Sequence, residues 1–401
     1  MTAGTEDRVS SAYSLTLILT LVGVGLFVAL LARQSSLTFL CILVFTTAAG
    51  AKAWSRLSIA RIQGDLKVDK KKMFPDETLT LRIGVANNKL LPVWLQVRVG
   101  LKGALRTAAG ETILKKDSGL LWYQQVSFDW ELTALKRGVH RIGPVTHEVG
   151  DLLGFYPKTK QTPDFHDVIV YPRLVQLNPV RFPRRDFFGI PGVRSPIEDP
   201  IYIHGTRDYQ YRRPARHIHW KASARHNRLM EKVCEPAEQE KVLLLVRSDC
   251  FSEDPTGSAF ENSLEVAASL AVELDRMRFA VGLATNGRLT GGGRTALKIS
   301  RSPGQLSDIL ETMARLEPDP AGDMVEILQR GWVLPWGVTG VCFTYRLDAG
   351  SLALNQYFKH HNIPMVMIVC DRNAGLTSAE TKASRKIYRL DDLRTKGPAA
   401  G

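Results

Sequence analysis

Cysteine is scarce in this chain and never paired at short range. The five residues Cys41, Cys234, Cys250, Cys342 and Cys370 include no C-x-x-C unit and stand mostly in apolar runs. That excludes a disulfide framework and a zinc ribbon, and places the soluble part in a reducing compartment. Acidic residues are also in deficit, with 40 Asp and Glu against 53 Lys and Arg, for a net charge of +13. No compositional bias marks a disordered, collagenous or coiled-coil chain, and 44% hydrophobic residues over 401 positions suffice for two or three folded units. A glycine run at Gly291-Gly292-Gly293 lacks the Lys-Ser/Thr and helix start of a phosphate-binding loop, which leaves a flexible turn. No Ser/His/Asp arrangement can be identified from residue order.

Two uncharged stretches near the N-terminus stand out. Residues 13–32 pass without a charge, long enough at 1.5 Å per residue to cover a hydrocarbon core of about 30 Å. A second, shorter uncharged run covers residues 37–51. A cleaved signal peptide is the competing reading, but Glu6 and Asp7 spoil its basic start and no small-x-small cleavage site follows cleanly. The expectation is a helical hairpin over residues 1–56. Arg33 alone lies in its turn, whereas Lys52, Arg56, Arg61, Lys67, Lys70, Lys71 and Lys72 follow its second arm. The positive-inside rule then puts both ends, and the bulk of the chain, on the cytoplasmic side of an inner membrane.

Over residues 57–177 the apolar period is two. Leu79, Leu81, Ile83 and Val85 alternate with polar or small residues; Val93 to Leu101 and Val126 to Leu132 repeat the pattern, and turn signals such as Asn87-Asn88, Arg137-Gly138 and Gly143-Pro144 separate the runs. These features predict an antiparallel β-sandwich over 57–180. From Lys241 the pattern becomes strand, helix, strand. Apolar runs at 242–246, 279–285, 338–343 and 365–370 alternate with helical periods, and Ser258-Ala259-Phe260-Glu261 reads as a capping box opening a helix. The expectation for 241–395 is an open α/β domain with a mainly parallel sheet, followed by a tail at 396–401.

Between these patterns, segment 181–240 follows neither period. Residues 181–232 hold twelve Arg and Lys against five Asp and Glu, about half the surplus charge. Its densest part contains Arg207, Tyr209, Tyr211, Arg212, Arg213, Arg216, Ile218, His219, Trp220, Lys221, Ser223, Ala224 and Arg225. Such a mixture fits nucleic acid, anionic lipid, or internal pairing with carboxylates. No recognition fold accompanies the charge and the chain is tethered, so nucleic acid is not the expected partner. Interleaved aromatics favour guanidinium stacking and partial burial in an interdomain or partner-facing linker, with plain solvated charge as the bland alternative.

This stretch resembles the hallmark R-x-Y-x-x-G-D-x-x-R-x-I-x-W-K-x-S-A-R of the domain of unknown function 58 family, matched at Arg207, Tyr209, Arg216, Ile218, Trp220, Lys221, Ser223, Ala224 and Arg225. Arg212-Arg213 replaces the family's Gly-Asp. The resemblance implies a bacterial membrane protein with a von Willebrand factor A-like α/β domain, associated with a MoxR-type AAA+ ATPase, and it assigns no catalytic residue and no cofactor.

Three chemical sites can be weighed. A metal-binding von Willebrand A domain carries Asp-x-Ser-x-Ser, which gives a cation hard oxygen ligands. Here Asp249 is followed by Phe251 and Glu253 where the serines belong, so the site is degenerate. His219-x-Lys221 matches the start of a phosphodiesterase signature, but position 226 is His rather than Asp and no second copy exists. His217, His219 and His226 have no carboxylate or cysteine at ligand spacing, and Lys221 and Arg225 would repel a cation. The sequence therefore predicts a non-enzymatic membrane-anchored scaffold, with cation-dependent ligand binding near Asp249 as the alternative.

Overall fold

The computed structural model describes residues 20–58, 61–150, 157–178, 198–210, 214–236, 241–254, 257–331, 334–335, 337–371 and 387–394. It is a mixed α/β protein of two units, Met1–Tyr171 and Pro172–Gly401.

The first unit begins with α1 (Thr20–Leu31) and α2 (Ser35–Ser58). Among the described residues one helix is long and apolar enough to cross a membrane: α2, over Ser35–Trp54. The helix is longer than the uncharged run 37–51 read from the sequence. The charge count stops at Lys52, but no proline interrupts the segment, and the helix continues past Lys52 and Arg56 to Ser58. Long basic side chains at a helix end can lie along apolar surface with their charge in water. Residues 13–19 of the first run lie outside the described residues.

Ten strands follow among the described residues: β1 (Ile62–Val68), β2 (Lys72–Met73), β3 (Thr78–Asn87), β4 (Val93–Leu101), β5 (Leu105–Thr107), β6 (Ile113–Leu120), β7 (Gln125–Ala134), β8 (Gly138–Gly150), β9 (Lys158–Thr162) and β10 (His166–Val170). One sheet has the order β1-β3-β7-β5; the other runs β2-β10-β8-β4-β6, with β9 also on β8. Pairing is antiparallel except for a short parallel contact between β2 and β10. The alternation read from the sequence becomes one face of each sheet: Leu79, Leu81, Ile83 and Val85 of β3 share a buried core with Val93, Leu95, Val97 and Val99 of β4. The register fixes two ends. Ile62 pairs with Asn87 and Ala86 with Gln125, so the β3–β4 and β6–β7 loops gather where α2 enters. Val170 pairs with Gly138, so the chain leaves the unit from the other end.

In the second unit, β11 (Glu198–Asp208) and β12 (Met230–Pro236) form a two-stranded ribbon, and α3 (Trp220–His226) lies between them in sequence. The main sheet contains β13 (Lys241–Val246), β14 (Ala280–Thr285), β16 (Ala296–Ser300), β18 (Val338–Thr344), β19 (Met365–Val369) and β20 (Ile387–Arg389), in the order β16-β14-β13-β18-β19-β20. A small pair, β15 (Gly287–Leu289) and β17 (Leu316–Pro320), stands apart from it. All pairings in the main sheet are parallel except the β16 edge. Helices α4 (Ser258–Arg276), α5 (Gln305–Arg315), α6 (Met324–Gly331), α7 (Ala349–His360) and α8 (Leu390–Leu393) connect or follow the strands. Every residue of β18 and β19 is buried, as a strand covered on both faces requires.

One local expectation fails. Ser258 is not the N-cap of α4: Gly257 holds that position without a side-chain cap, and Asp254 accepts a hydrogen bond from the Ala259 N–H at 2.7 Å. An aspartate upstream thus satisfies one of the free N–H groups of the first turn.

Candidate functional site

Two constellations are built from chemistry-bearing side chains, both in the second unit. The first is the motif segment. Arg207 on β11 stands opposite Glu231 on β12, and its Nε donates to Glu231 Oε1. Glu231 is wholly buried and its other oxygen accepts from the Gln210 N–H at 3.4 Å. The backbone then turns so that Ile218 bridges to Glu231 and the His219 N–H donates to the Met230 carbonyl at 2.8 Å. His219 caps α3, its Nδ1 accepting from the Ala222 N–H at 3.0 Å. Ser223 is buried and closes the unit: its Oγ accepts from the Met230 N–H at 2.9 Å and donates to the His219 carbonyl at 3.1 Å. The helix ends at Asn227 in the left-handed region, φ 52°, a conformation asparagine tolerates well.

This frame divides the motif residues into two sets. Ile218 and Ser223 are buried, and the Ser223 hydroxyl ties α3 to Met230 of β12. Arg216, Trp220, Lys221, Ala224 and Arg225 face solvent. Trp220 is 69% exposed, which corrects the expectation of partial burial for this aromatic. Trp220 stands at the open N-terminal end of the helix, whereas it is the Ser223 hydroxyl that meets the Met230 N–H. Tyr209 is half-buried just beyond β11, its N–H donating to the Leu229 carbonyl at 2.9 Å. Arg228 pairs with Asp208 at 3.1 Å, with both side chains mostly exposed. His219, committed to capping, does not form a nucleophile pair with the solvent-facing Lys221. Tyr211 and Arg212-Arg213 lie outside the described residues.

The second constellation sits at the carboxyl ends of the parallel strands. Strand β13 has β14 on one side and β18 on the other, so the strand order reverses there, the place where open α/β sheets commonly bind ligands. Asp249 follows β13, Asn286 follows β14 and Asp348 follows β18. At their centre lies the guanidinium of Arg247, 2% exposed. Its Nη1 and Nη2 donate to Asp348 at 2.6 and 2.9 Å, and Nη2 also reaches Asp249 Oδ2 at 2.5 Å. Asn286 Nδ2 donates to Asp249 Oδ1 at 2.6 Å, while its Oδ1 accepts from the Ser248 N–H at 2.7 Å. Burial opposes the charge on Arg247, but the hydrogen bonds to Asp348 and Asp249 outweigh it and hold its pKa above the ordinary value. Hydrogen bonding from Arg247, helped by Ser351, drives the Asp348 carboxyl well below its usual range against desolvation.

Asp249 thus faces a cation that belongs to the chain itself. A positive charge already occupies the space between the two carboxylates, and a divalent ion would have to displace it. Among the described residues no group of three or more His, Cys, Asp or Glu side chains is arranged to hold a metal. Ser248 Oγ is buried without a hydrogen-bond partner and lies against Gly287, where a Cβ would come within 2.3 Å. The sequence pattern singled out Asp249 but not Arg247, Asn286 or Asp348. Two signals were available: a charge directly after the buried run of β13, and Asp348 with Ser351, which form a reciprocal capping box on α7. Buried thiols cluster near the same sheet, and burial raises Cys250 and pushes Cys342 up to about 12, so neither supplies a thiolate nucleophile.

No family model matches this chain. Over 174 residues, 42% of its length, it is 29% identical to the uncharacterized protein YeaD of Bacillus subtilis (strain 168). It spans about 41% of the length of that relative. Among solved structures, the CARDB domain of a Pyrococcus furiosus protein aligns with 27% of this chain and 91% of its own, at 15% identity and a TM-score of 0.20. A type II cohesin domain from the cellulosome of Acetivibrio cellulolyticus aligns with 27% of this chain and 94% of its own, at 11% identity and a TM-score of 0.21.

Proposed function

We propose that this protein is a membrane-anchored, non-enzymatic scaffold whose α3 region captures a protein partner. The observation that carries the proposal is the contrast at one short helix: Ser223 fixes it from inside, while Trp220, Lys221 and Arg225 on it and Arg216 just before it stand in solvent. An exposed tryptophan among arginines on a rigid support has the composition of a binding hot spot. A folding role alone gives no reason to leave that ring in water.

In this reading α1 and α2 form the helical hairpin that anchors the chain in an inner membrane. The second unit is a von Willebrand factor A-like domain on the cytoplasmic side, and the chain belongs with the domain of unknown function 58 proteins. The partner is then a MoxR-type AAA+ ATPase or its client, and no nucleic acid, cofactor or catalytic residue is involved. The first unit supports the role of spacer: α2 enters at one end of its strands and the chain leaves at the other, about 30 Å away for a ten-residue strand.

Crosslinking in intact membranes followed by pull-down tests this. Replacing Trp220 and Arg216 by alanine is expected to remove the ATPase from the crosslinked products while the chain stays in the membrane after alkaline carbonate washing. Unchanged capture by the double variant overturns the proposal.

A further inference from the structure

The β3–β4 and β6–β7 loops of the first unit present an apolar tip where α2 ends. Leu90 is 72% exposed, Trp122 59% and Tyr123 66%, and Leu121 is exposed beside them. Neither loop, Asn88-Lys89-Leu90-Leu91-Pro92 or Leu121-Trp122-Tyr123-Gln124, contains an acidic residue.

The tip is built rigidly. Asn87 is fully buried and its Nδ2 donates to the Leu91 carbonyl at 2.9 Å and the Leu121 carbonyl at 2.8 Å, tying one loop to the other. The Tyr123 N–H donates to the Lys89 carbonyl at 3.1 Å. The same loops hold the end of α2. Lys89 Nζ donates to the carbonyls of Leu57 and Ser58, capping the C-terminal end of that helix with a positive charge. Trp54 Nε1 donates to the Pro92 carbonyl at 2.9 Å.

These contacts set a common level. If α2 spans a bilayer, Trp54 and Lys52 mark the place where it meets the headgroups, and the loops lie at that place because they are hydrogen-bonded to it. Tryptophan and tyrosine rings are favoured in the headgroup layer, and exposed leucines there leave water for the acyl boundary.

We infer that residues 88–92 and 121–124 form a second membrane contact, an apolar foot that dips into the headgroup layer beside α2 and stands the first unit end-on against the lipid. The inference rests on the membrane anchoring proposed above and adds a lipid-binding surface outside the helices.

The test uses the full chain reconstituted in vesicles of phosphatidylethanolamine and phosphatidylglycerol containing a phosphatidylcholine brominated on its acyl chains. An environment-sensitive fluorescent amino acid replaces Trp122 in one protein, Leu90 in a second and Leu135 in a third. Leu135 serves as the control because it is also half exposed but follows the opposite end of β7. Expected are blue-shifted emission and quenching by brominated lipid at positions 122 and 90, with neither at 135. A chain that floats with the vesicles while the probes at 122 and 90 report water overturns the foot and leaves the anchor standing. Equal shifts at all three positions overturn the end-on arrangement. A chain that does not float with the vesicles overturns the anchor and the foot together.

Discussion

Arg247 Nη1 and Asp348 Oδ1 lie 2.6 Å apart although 101 positions separate them in sequence, and the same guanidinium reaches Asp249 at 2.5 Å. One buried charge thereby joins the loops after two adjacent parallel strands. Replacing Arg247 by alanine leaves two carboxylates facing each other with no counter-charge. The expected loss is about 2–4 kcal/mol, reduced from the range for fully buried pairs because both carboxylates keep some contact with solvent. Urea unfolding measures it. Magnesium is expected to raise the melting temperature of Arg247→Ala and not that of the unaltered protein; cation stabilisation of the unaltered protein would show that the guanidinium does not fill the site.

The depressed Asp348 pKa gives this clamp a pH signature. A carboxylate whose folded pKa lies below its unfolded value, about 3.9, contributes stability that is present above that value and lost as pH falls through the folded one. The difference in urea midpoint between the unaltered protein and Asp348→Asn is therefore expected to narrow below about pH 4. A constant difference down to pH 2 would place the clamp's energy elsewhere.

His147 gives the first unit a separate acid sensitivity. The ring is buried, neither nitrogen has a hydrogen-bond partner, and Gly64 packs so closely that a Cβ there would come within 2.5 Å of Nε2. Burial, followed by the charge of Lys160, lowers its pKa against the opposing pull of Asp164. The unfolded chain therefore binds the proton more readily, and stability is complete above about 6.5 and falls as pH drops below it. Circular dichroism melting of the unaltered protein is expected to decline between pH 7 and pH 5, and His147→Gln to flatten that decline. An unchanged slope in the variant would assign it to other groups.

Ser223 serves the partner surface without belonging to it. Its hydroxyl is the acceptor for the Met230 N–H, so Ser223→Ala leaves a buried donor unmatched at a cost of about 1–3 kcal/mol and loosens α3 from β12. Capture of the partner is expected to weaken, as is also expected of Trp220→Ala. The two differ in thermal stability, which should fall for Ser223→Ala and hold for Trp220→Ala because that ring is exposed. Full capture by Ser223→Ala would show that binding does not depend on the placement of this helix.

Asp254→Ala is expected to cost about 1 kcal/mol, the usual worth of a helix cap, because its carboxylate serves the Ala259 N–H at the start of α4. Equilibrium unfolding checks it, and a change near zero would return the capping role to other groups.

The sequence determined by itself what periodicity and local charge encode. Alternating Leu79, Leu81, Ile83 and Val85 specified a half-buried strand, because side chains on a strand point to opposite faces. The continuous run 242–246 specified a strand buried on both sides, and the uncharged run ending near Lys52 specified an apolar helix. Tertiary structure alone decided which distant groups meet. Arg247, Asn286 and Asp348 come from three different strand ends, and sheet order rather than spacing brings them together. Trp220 and Ser223 share one motif but opposite fates, since only the ribbon formed by β11 and β12 defines an inside for that short helix. A pattern along the chain records the period of a segment, whereas burial and partnership depend on surfaces that do not exist until the segments have packed.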